Sequence, residues 1–276
     1  MTTFFSIIIP TLNEELFLPR ILTDLKKQKS KNFEIIIVDA KSTDKTKKIA
    51  NSYKSKLRLR VLISNKKNVS YQKNFGAQKA KGSYLIFLDA DCKLNKTFTQ
   101  KFEKNIIQKK GLVFFPYISP EDNTPQTKKL YQFLNFMIDR SQILKNPFSS
   151  VGCMCLERNF FNLIGGFDEK IKFQEDLEIA KKSRLWGVIG THLPDVKFIF
   201  SFRKIKKEGN LKSLYKLIIG NAYYVLNKNL NKSFSHEMGG HIYDKDPLRK
   251  NKIKLTRIEL TKIKKYFKNE ILDTKS

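Results

Sequence analysis

Cysteine is scarce in this sequence. The three present, Cys92, Cys153 and Cys155, are too few and too irregularly spaced for a disulfide framework or a four-ligand zinc site. A reducing compartment, the cytoplasm, is therefore expected. No apolar run approaches the roughly 20 residues that a helix needs to cross a bilayer. The run from Phe4 to Ile9 has no basic segment before it, and Glu14 and Glu15 follow closely. Those flanks are wrong for a signal peptide and suit a first strand. Acidic residues are also few, 26 against 54 Lys and Arg, leaving a formal net charge of +28. Such a charge attracts anions, whether nucleic acid, an anionic membrane face or a phosphorylated substrate, without choosing among them. A lysine excess encoded by an A+T-rich genome would give the same balance. There are no internal repeats and no long low-complexity linker.

A chain of 276 residues can bury a substantial core as one large α/β domain, with or without a smaller appendage. From the start, β-branched runs alternate with helical patterns. Strands are expected at Phe4–Ile9, Phe33–Val38, Leu57–Ile63 and Tyr84–Leu88, and helices at Glu14–Lys29, Asp44–Tyr53 and Ser70–Lys81. Continuous apolar strands such as Glu34-Ile35-Ile36-Ile37-Val38 fit a parallel sheet covered on both faces, and the alternation fits right-handed βαβ units. The expected class is α/β, a Rossmann-like layer sandwich with a mainly parallel sheet. Residues 112–161 are less regular, with an apolar helix near Leu130–Leu144 and a strand at Val151–Leu156, where Cys153-Met154-Cys155 reads as strand filler. Beyond Phe202 the pattern is helical and strongly basic, with Leu211–Leu226 too short to span a membrane and Leu255–Ile271 amphipathic. His192 and His241 are lone histidines of the structural kind.

Ligands of such sheets bind beyond the carboxyl ends of the strands. The segments there are polar: Pro10-Thr11-Leu12-Asn13-Glu14, then Asp39-Ala40-Lys41-Ser42-Thr43-Asp44, then Asp89-Ala90-Asp91. Two carboxylates one residue apart at a strand end can share one hard cation and the diphosphate it neutralises. Mg²⁺ or Mn²⁺ suits that task, since both take oxygen ligands and Mg²⁺ commonly keeps waters while binding substrate phosphates.

Together these blocks resemble family 2 glycosyltransferases of the GT-A type. The family pattern has a strand ending in P-T-x-N-E, a second ending in V-D-x-x-S-T-D-x-T, and a helix N-x-G-x-x-x-A-x-G before F-L-D-x-D. The matching residues are Pro10 to Glu14, Val38 to Thr46, and Asn74 to Asp91, in the same order and spacing. Gly165-Gly166-Phe167-Asp168-Glu169 and then Glu175-Asp176 resemble the acceptor-side loop and the E-D motif. The resemblance covers residues 4–205 and implies a domain over 1–205, with a nucleotide-sugar-binding half at 1–92, an acceptor half at 93–205, and a basic helical extension at 206–276.

The resemblance also implies roles. Asp39 would hydrogen-bond the base, uracil if the donor is a UDP-sugar; capping of the following helix is its bland alternative, for which Ser42 and Asp44 are better placed. Pro10, Thr11, Asn13 and Glu14 would line the nucleoside pocket. Asp89 would lie near ribose and metal, and Asp91 would ligate the metal. Lys73 stands where many relatives have arginine; it keeps the charge but lacks the bidentate fork for a base or phosphate. Asp176, with Glu175 beside it, would be the base of an inverting reaction. Where many relatives carry a histidine this chain has Phe200-Ser201-Phe202-Arg203-Lys204, so Arg203 and Lys204 become candidates to clamp the diphosphate or the acceptor. The Q-H-P-P-E run of dolichyl-phosphate mannose synthases is absent after Asp91, which disfavours that substrate class. The partners implied are a nucleotide-sugar donor and a glycan or lipid-linked acceptor, with peripheral association at an anionic membrane and no specific nucleic acid. A sugar nucleotidyltransferase would want a glycine-rich loop after the first strand, and Pro10 to Glu14 has no glycine. A basic membrane- or nucleic-acid-binding relative without catalysis is the other alternative, against which the intact aspartates stand.

Overall fold

The computed structural model describes residues 4–121, 124–149, 152–171 and 175–200, all in one compact unit. Arg203, Lys204, His241 and the basic 206–276 extension with its two helical stretches lie outside the described residues. The first half runs β1 (Phe5–Thr11), α1 (Leu18–Lys26), β2 (Phe33–Asp39), α2 (Thr46–Ser52), β3 (Leu59–Ile63), α3 (Val69–Gln78) and β4 (Tyr84–Leu88). The second continues with β5 (Lys93–Leu94), α4 (Phe98–Lys109), β6 (Val113–Ser119), α5 (Pro125–Ser141), β7 (Cys153–Glu157), α6 (Arg158–Leu163), α7 (Glu175–Leu185) and β8 (Thr191–Ile199).

All eight strands form one sheet in the order β3-β2-β1-β4-β7-β6-β8-β5. β1, β2, β3 and β4 pair in parallel, as do β6 and β8, whereas β7 is antiparallel to both β4 and β6, and β5 to β8. The fold is thus an α/β layer sandwich with a mixed, mainly parallel sheet. Its core is densest where β1 and β2 meet: Ile7, Ile8, Ile9, Ile35, Ile36, Ile37 and Val38 have no exposed surface. Side chains buried on both faces explain why these strands read as unbroken apolar runs.

Glu34 stands inside that run, and the fold satisfies it. Its carboxylate accepts from Ser6 Oγ at 2.7 Å, the Lys81 N–H at 2.7 Å and Arg60 Nη2 at 2.9 Å. Burial pushes its pKa up, but these hydrogen bonds and the Arg60 charge outweigh it and hold the group below its ordinary value.

Two glycines let α3 and the start of β4 approach β1. A Cβ on Gly76 would stand 2.5 Å from Ile8 Cγ2, and one on Gly82 would stand 2.5 Å from the backbone of Phe5 and Ser6. The expected helix Glu14–Lys29 is shorter than its pattern because the Glu14 and Glu15 N–H groups bond instead to Thr46 Oγ1 and Asp44 Oδ2. The apolar helix near Leu130–Leu144 begins earlier, after Thr124, whose hydroxyl accepts from the Thr127 N–H. Cys153, Met154 and Cys155 are buried in β7.

Candidate active site

The first part of the site is built where β1 and β2 end. Thr11 and Asp39 are register partners, and Thr11 Oγ1 donates to Asp39 Oδ1 at 3.1 Å. Asp39 also accepts from the Ser42 N–H at 2.9 Å and the Ser42 hydroxyl at 2.5 Å. The carboxylate therefore closes its own loop. Asp44, just before α2, accepts at 2.9 Å from the N–H of Thr46, the first residue of that helix. Asn13 takes the left-handed conformation, φ 54, and ties the two loops together: its backbone N–H donates to Ser42 Oγ, and its side-chain Oδ1 accepts from the Thr43 N–H. Asparagine tolerates that conformation better than most residues. Pro10, Thr11, Asn13, Glu14 and Asp39 thus converge on one rim of the sheet.

Asp89 and Asp91 sit on the β-turn that follows β4, closed by the Cys92 N–H on the Asp89 carbonyl at 3.2 Å. The turn is braced from β7, since the Asp89 N–H donates to the Gly152 carbonyl at 2.9 Å. Oxygen donors at this spacing fit Mg²⁺ or Mn²⁺. Among the described residues no group of three or more His, Cys, Asp or Glu is placed to hold a metal. Two carboxylates leave most of a six-fold shell to substrate oxygens and water, the usual arrangement for Mg²⁺ on a phosphate substrate.

The third part joins α3 to the acceptor-side loop. Asn68 Nδ2 donates to the Glu169 carbonyl at 2.9 Å, and Ser70 Oγ donates to that of Ile171 at 3.3 Å. The Asn74 amide bonds both the carbonyl and the N–H of Phe167, each at 2.9 Å. Lys66 adds an ion pair to Glu169 at 3.0 Å. One turn further along α3, Lys73 Nζ lies 2.7 Å from Glu175 Oε1 and 2.8 Å from Asp176 Oδ1, with its side chain only 2% exposed.

The electrostatics of this cluster are lopsided. One ammonium faces Glu175 and Asp176, and the charge of Asp89 reaches both Lys73 and Asp176. Burial pushes the Asp176 pKa up, the Lys73 charge pulls it back, and Glu175 and Asp89 raise it again, leaving it at about 7. Burial alone would lower Lys73, but Asp176, Glu175 and Asp89 outweigh it and hold the ammonium firmly charged. A cation-rich protein thus carries a carboxylate-rich cleft.

The sequence-predicted residues that are described fall into three groups, the rim around Thr11 and Asp39, the turn that carries Asp89 and Asp91, and the Lys73–Glu175–Asp176 cluster with Asp89 in electrostatic reach. Lys73 is expected on the base or phosphate; in this structure its ammonium lies against the two carboxylates. Glu175 and Asp176 open α7, where carboxylates also favour the helix dipole. His192 is buried against Tyr117, ring centroids 5.4 Å apart, in the structural role its pattern suggests. What sequence reasoning missed is the clasp made by Asn68, Ser70 and Asn74. Only Asn74 carried a signal, as the first residue of the N-x-G block.

These features define an open α/β fold with polar, carboxylate-bearing loops at the strand ends. The model of the family "Glycosyl transferase family 2" matches residues 6–165, more than half of the chain, and the protein belongs to that family. Among curated relatives, Staphylococcus aureus TarS, a poly(ribitol-phosphate) beta-N-acetylglucosaminyltransferase, is 36% identical over 96 residues, 33% of this chain and 17% of the relative. A PGL/p-HBAD biosynthesis glycosyltransferase of Mycobacterium bovis is 40% identical over 97 residues, 34% of this chain and 38% of the relative. The matched segments are thus well under half of either relative. Among solved structures, S. aureus TarS 1–349 in complex with UDP-GlcNAc has a TM-score of 0.58 at 22% identity, covering 81% of this chain and 67% of that one. Mannosyltransferase PcManGT from Pyrobaculum calidifontis, in complex with GDP-Man and Mn²⁺, has a TM-score of 0.64 at 18% identity, covering 80% and 61%. The fold is that of the GT-A glycosyltransferases.

Proposed function

We propose that the protein is a metal-dependent inverting glycosyltransferase that moves a sugar from a nucleotide diphosphate donor, a UDP-sugar first among candidates, to a glycan or lipid-linked acceptor. The observation that carries this reading is Asp176, a nearly buried carboxylate held at 2.8 Å by Lys73 and in electrostatic reach of Asp89. TarS in complex with UDP-GlcNAc supports a uridine donor, and PcManGT with GDP-Man makes guanosine the second nucleotide to test.

In this reading Asp39, with Thr11 and Ser42 fixing its oxygens, faces the base, while Pro10, Asn13 and Glu14 shape the nucleoside pocket. Asp91 with Asp89 would hold Mg²⁺ or Mn²⁺, which supplies Lewis-acid stabilisation of the leaving diphosphate. The acceptor hydroxyl oxygen attacks the anomeric carbon, the bond to the diphosphate oxygen breaks, and the hydroxyl proton passes to an Asp176 carboxylate oxygen. A pKa of about 7 suits that role, because a base near the working pH combines ionisation with driving force. Single displacement inverts the anomeric centre and needs no covalent intermediate.

The test is a thermal melt with UDP or GDP and Mn²⁺, with and without EDTA, followed by a panel of nucleotide sugars assayed for hydrolysis. Stabilisation that EDTA abolishes supports the reading. No stabilisation by either nucleotide and no hydrolysis of any donor refutes it.

The basic 206–276 extension, together with Arg203 and Lys204, supports a further reading on sequence alone: peripheral association with an anionic membrane at its cytoplasmic face. Among the described residues no helix is long and apolar enough to cross a membrane. Sedimentation with anionic but not neutral vesicles, weakened by salt, is the expected result; protein that stays in the supernatant at low salt refutes it.

A further inference from the structure

We propose that Lys73 is a positioning residue, which fixes Glu175 and Asp176 at the start of α7 and makes no contact with the donor nucleotide. It stands on α3, the one helix that Asn68, Ser70 and Asn74 join to the acceptor-side loop. Its ammonium donates at 2.7 Å to Glu175 and at 2.8 Å to Asp176. The Phe167 ring covers it 5.1 Å away, and that ring's own backbone is pinned by Asn74. To reach a base or a diphosphate, Lys73 would have to break both of its ion pairs in a site where its side chain is 2% exposed. Breaking a buried pair from one side is among the most costly single changes a protein can make.

Lysine suits this place better than arginine would. A compact ammonium can stand between two carboxylates on adjacent residues, while a planar fork pairs best with one. The nucleotide half of the fold thus sets the geometry of the acceptor half through one side chain.

The inference rests on Asp176 being the base of the proposed reaction, and the experiment separates the two. The full chain is first titrated with UDP and with GDP in Mn²⁺, and assayed for hydrolysis of nucleotide sugars. Absence of both binding and hydrolysis overturns the functional reading and this one with it. Given binding, Lys73→Met should keep the nucleotide Kd within about threefold and leave KM for the nucleotide sugar unchanged, while kcat falls by about 10²-fold, the scale of a misplaced base. Lys73→Arg should recover part of kcat. A Kd weakened about tenfold or more with kcat retained shows a donor contact and overturns the proposal. If Lys73→Met does not fold, the charge-neutral pair Glu175→Gln/Asp176→Asn is compared with and without it. Equal nucleotide Kd supports the proposal, and a Kd weakened about tenfold in the triple variant overturns it.

Discussion

The two halves of the described unit build the site by different means. Around β1, β2 and β4 the loops are closed mainly by bonds within the first half, Thr11 and Ser42 on Asp39, Asn13 across to Thr43, and Cys92 back to Asp89, none spanning more than 30 positions. The second half contributes two carboxylates, Glu175 and Asp176, both of which pair with a lysine from the first half. A pocket whose loops bond one another can be specified within one half. A base that must meet a substrate held elsewhere has to be located by a long-range contact, here over more than 100 positions of sequence. The division predicts that damage to the strand-end loops of the first half removes binding, and damage to the Lys73–Glu175–Asp176 cluster removes turnover.

The largest expected effect is that of Asp91→Ala. Removing one of the two turn carboxylates should abolish both Mn²⁺-dependent nucleotide binding and transfer with the melting temperature of the free protein unchanged. Calorimetric titration of UDP with and without Mn²⁺ checks it, and wild-type binding in the variant would break the comparison at its first term. Asp176→Asn comes next. Nucleotide affinity should persist while turnover falls by about 10²–10⁴-fold, the usual value of a positioned general base. An active Asp176→Asn protein would move the base to Glu175, and a variant that no longer binds nucleotide would erase the distinction between the halves.

The same contrast governs what could be read in advance. β1, β2 and β4 stand within two residues of where their apolar runs place them, because burial on both faces writes itself as continuous Ile, Val and Leu. β6 and β8 were not anticipated, and the reason is local. Pro116 lies inside β6, at the position where its pairing with β8 shifts register, and Pro194, Asp195 and Lys197 interrupt β8. A proline within a run argues against a strand unless it sits at an edge or a bulge. α4 hides in the same way, its buried Phe98, Phe102 and Ile106 spread over a twelve-residue helix whose other residues, Ile107 apart, are polar. In the site, every motif residue within 4–200 could be picked from sequence, but not the pairing of Lys73 with Glu175 and Asp176, since no periodicity encodes a contact between helices so far apart.

Glycines sharpen the comparison at a smaller scale. Gly82 in the first half is steric: a Cβ would meet backbone atoms of Phe5 and Ser6 at 2.5 Å. Gly82→Ala should therefore cost about 1–3 kcal/mol, the usual range for overpacking. That corresponds to several degrees of melting temperature, at roughly 2–4 °C per kcal/mol for a domain of this size. Gly165 in the second half is conformational, with φ +77 and nothing within 4 Å of a Cβ. Gly165→Ala should cost about 1–2 kcal/mol, and Gly165→Asn less. Equal melting temperatures for Gly82→Ala and wild type would show that β1 can give way where the packing says it cannot.

The smallest expected effect is a change of pH profile, and it tests the second half most closely. With Asp176 poised at about 7, kcat/KM should climb with pH up to about 7 and level off above it, because only the ionised carboxylate can take a proton. Stability should carry the opposite trend. A carboxyl whose folded pKa is raised above 3.8 binds its proton more tightly in the folded protein. Its contribution to stability is therefore full below the unfolded value and is lost as pH rises through about 7. Lys73 is raised, so its own contribution holds across this range. His192 is lowered by burial, Asp139 opposing, and contributes with the reverse sign: its stabilisation is present above the unfolded value near 6.5 and is lost as pH falls through the lower folded value. The quantity to measure is accordingly the difference in unfolding free energy between wild type and Asp176→Asn from pH 5 to 8, in which His192 cancels. Glu175 is one of the charges that raise Asp176, so Glu175→Gln should move the acid limb of kcat/KM to lower pH with the plateau intact. An acid limb that stays in place after Glu175→Gln would mean that the two carboxylates do not share Lys73 during turnover, and the second half would then owe its base to contacts other than the one seen here.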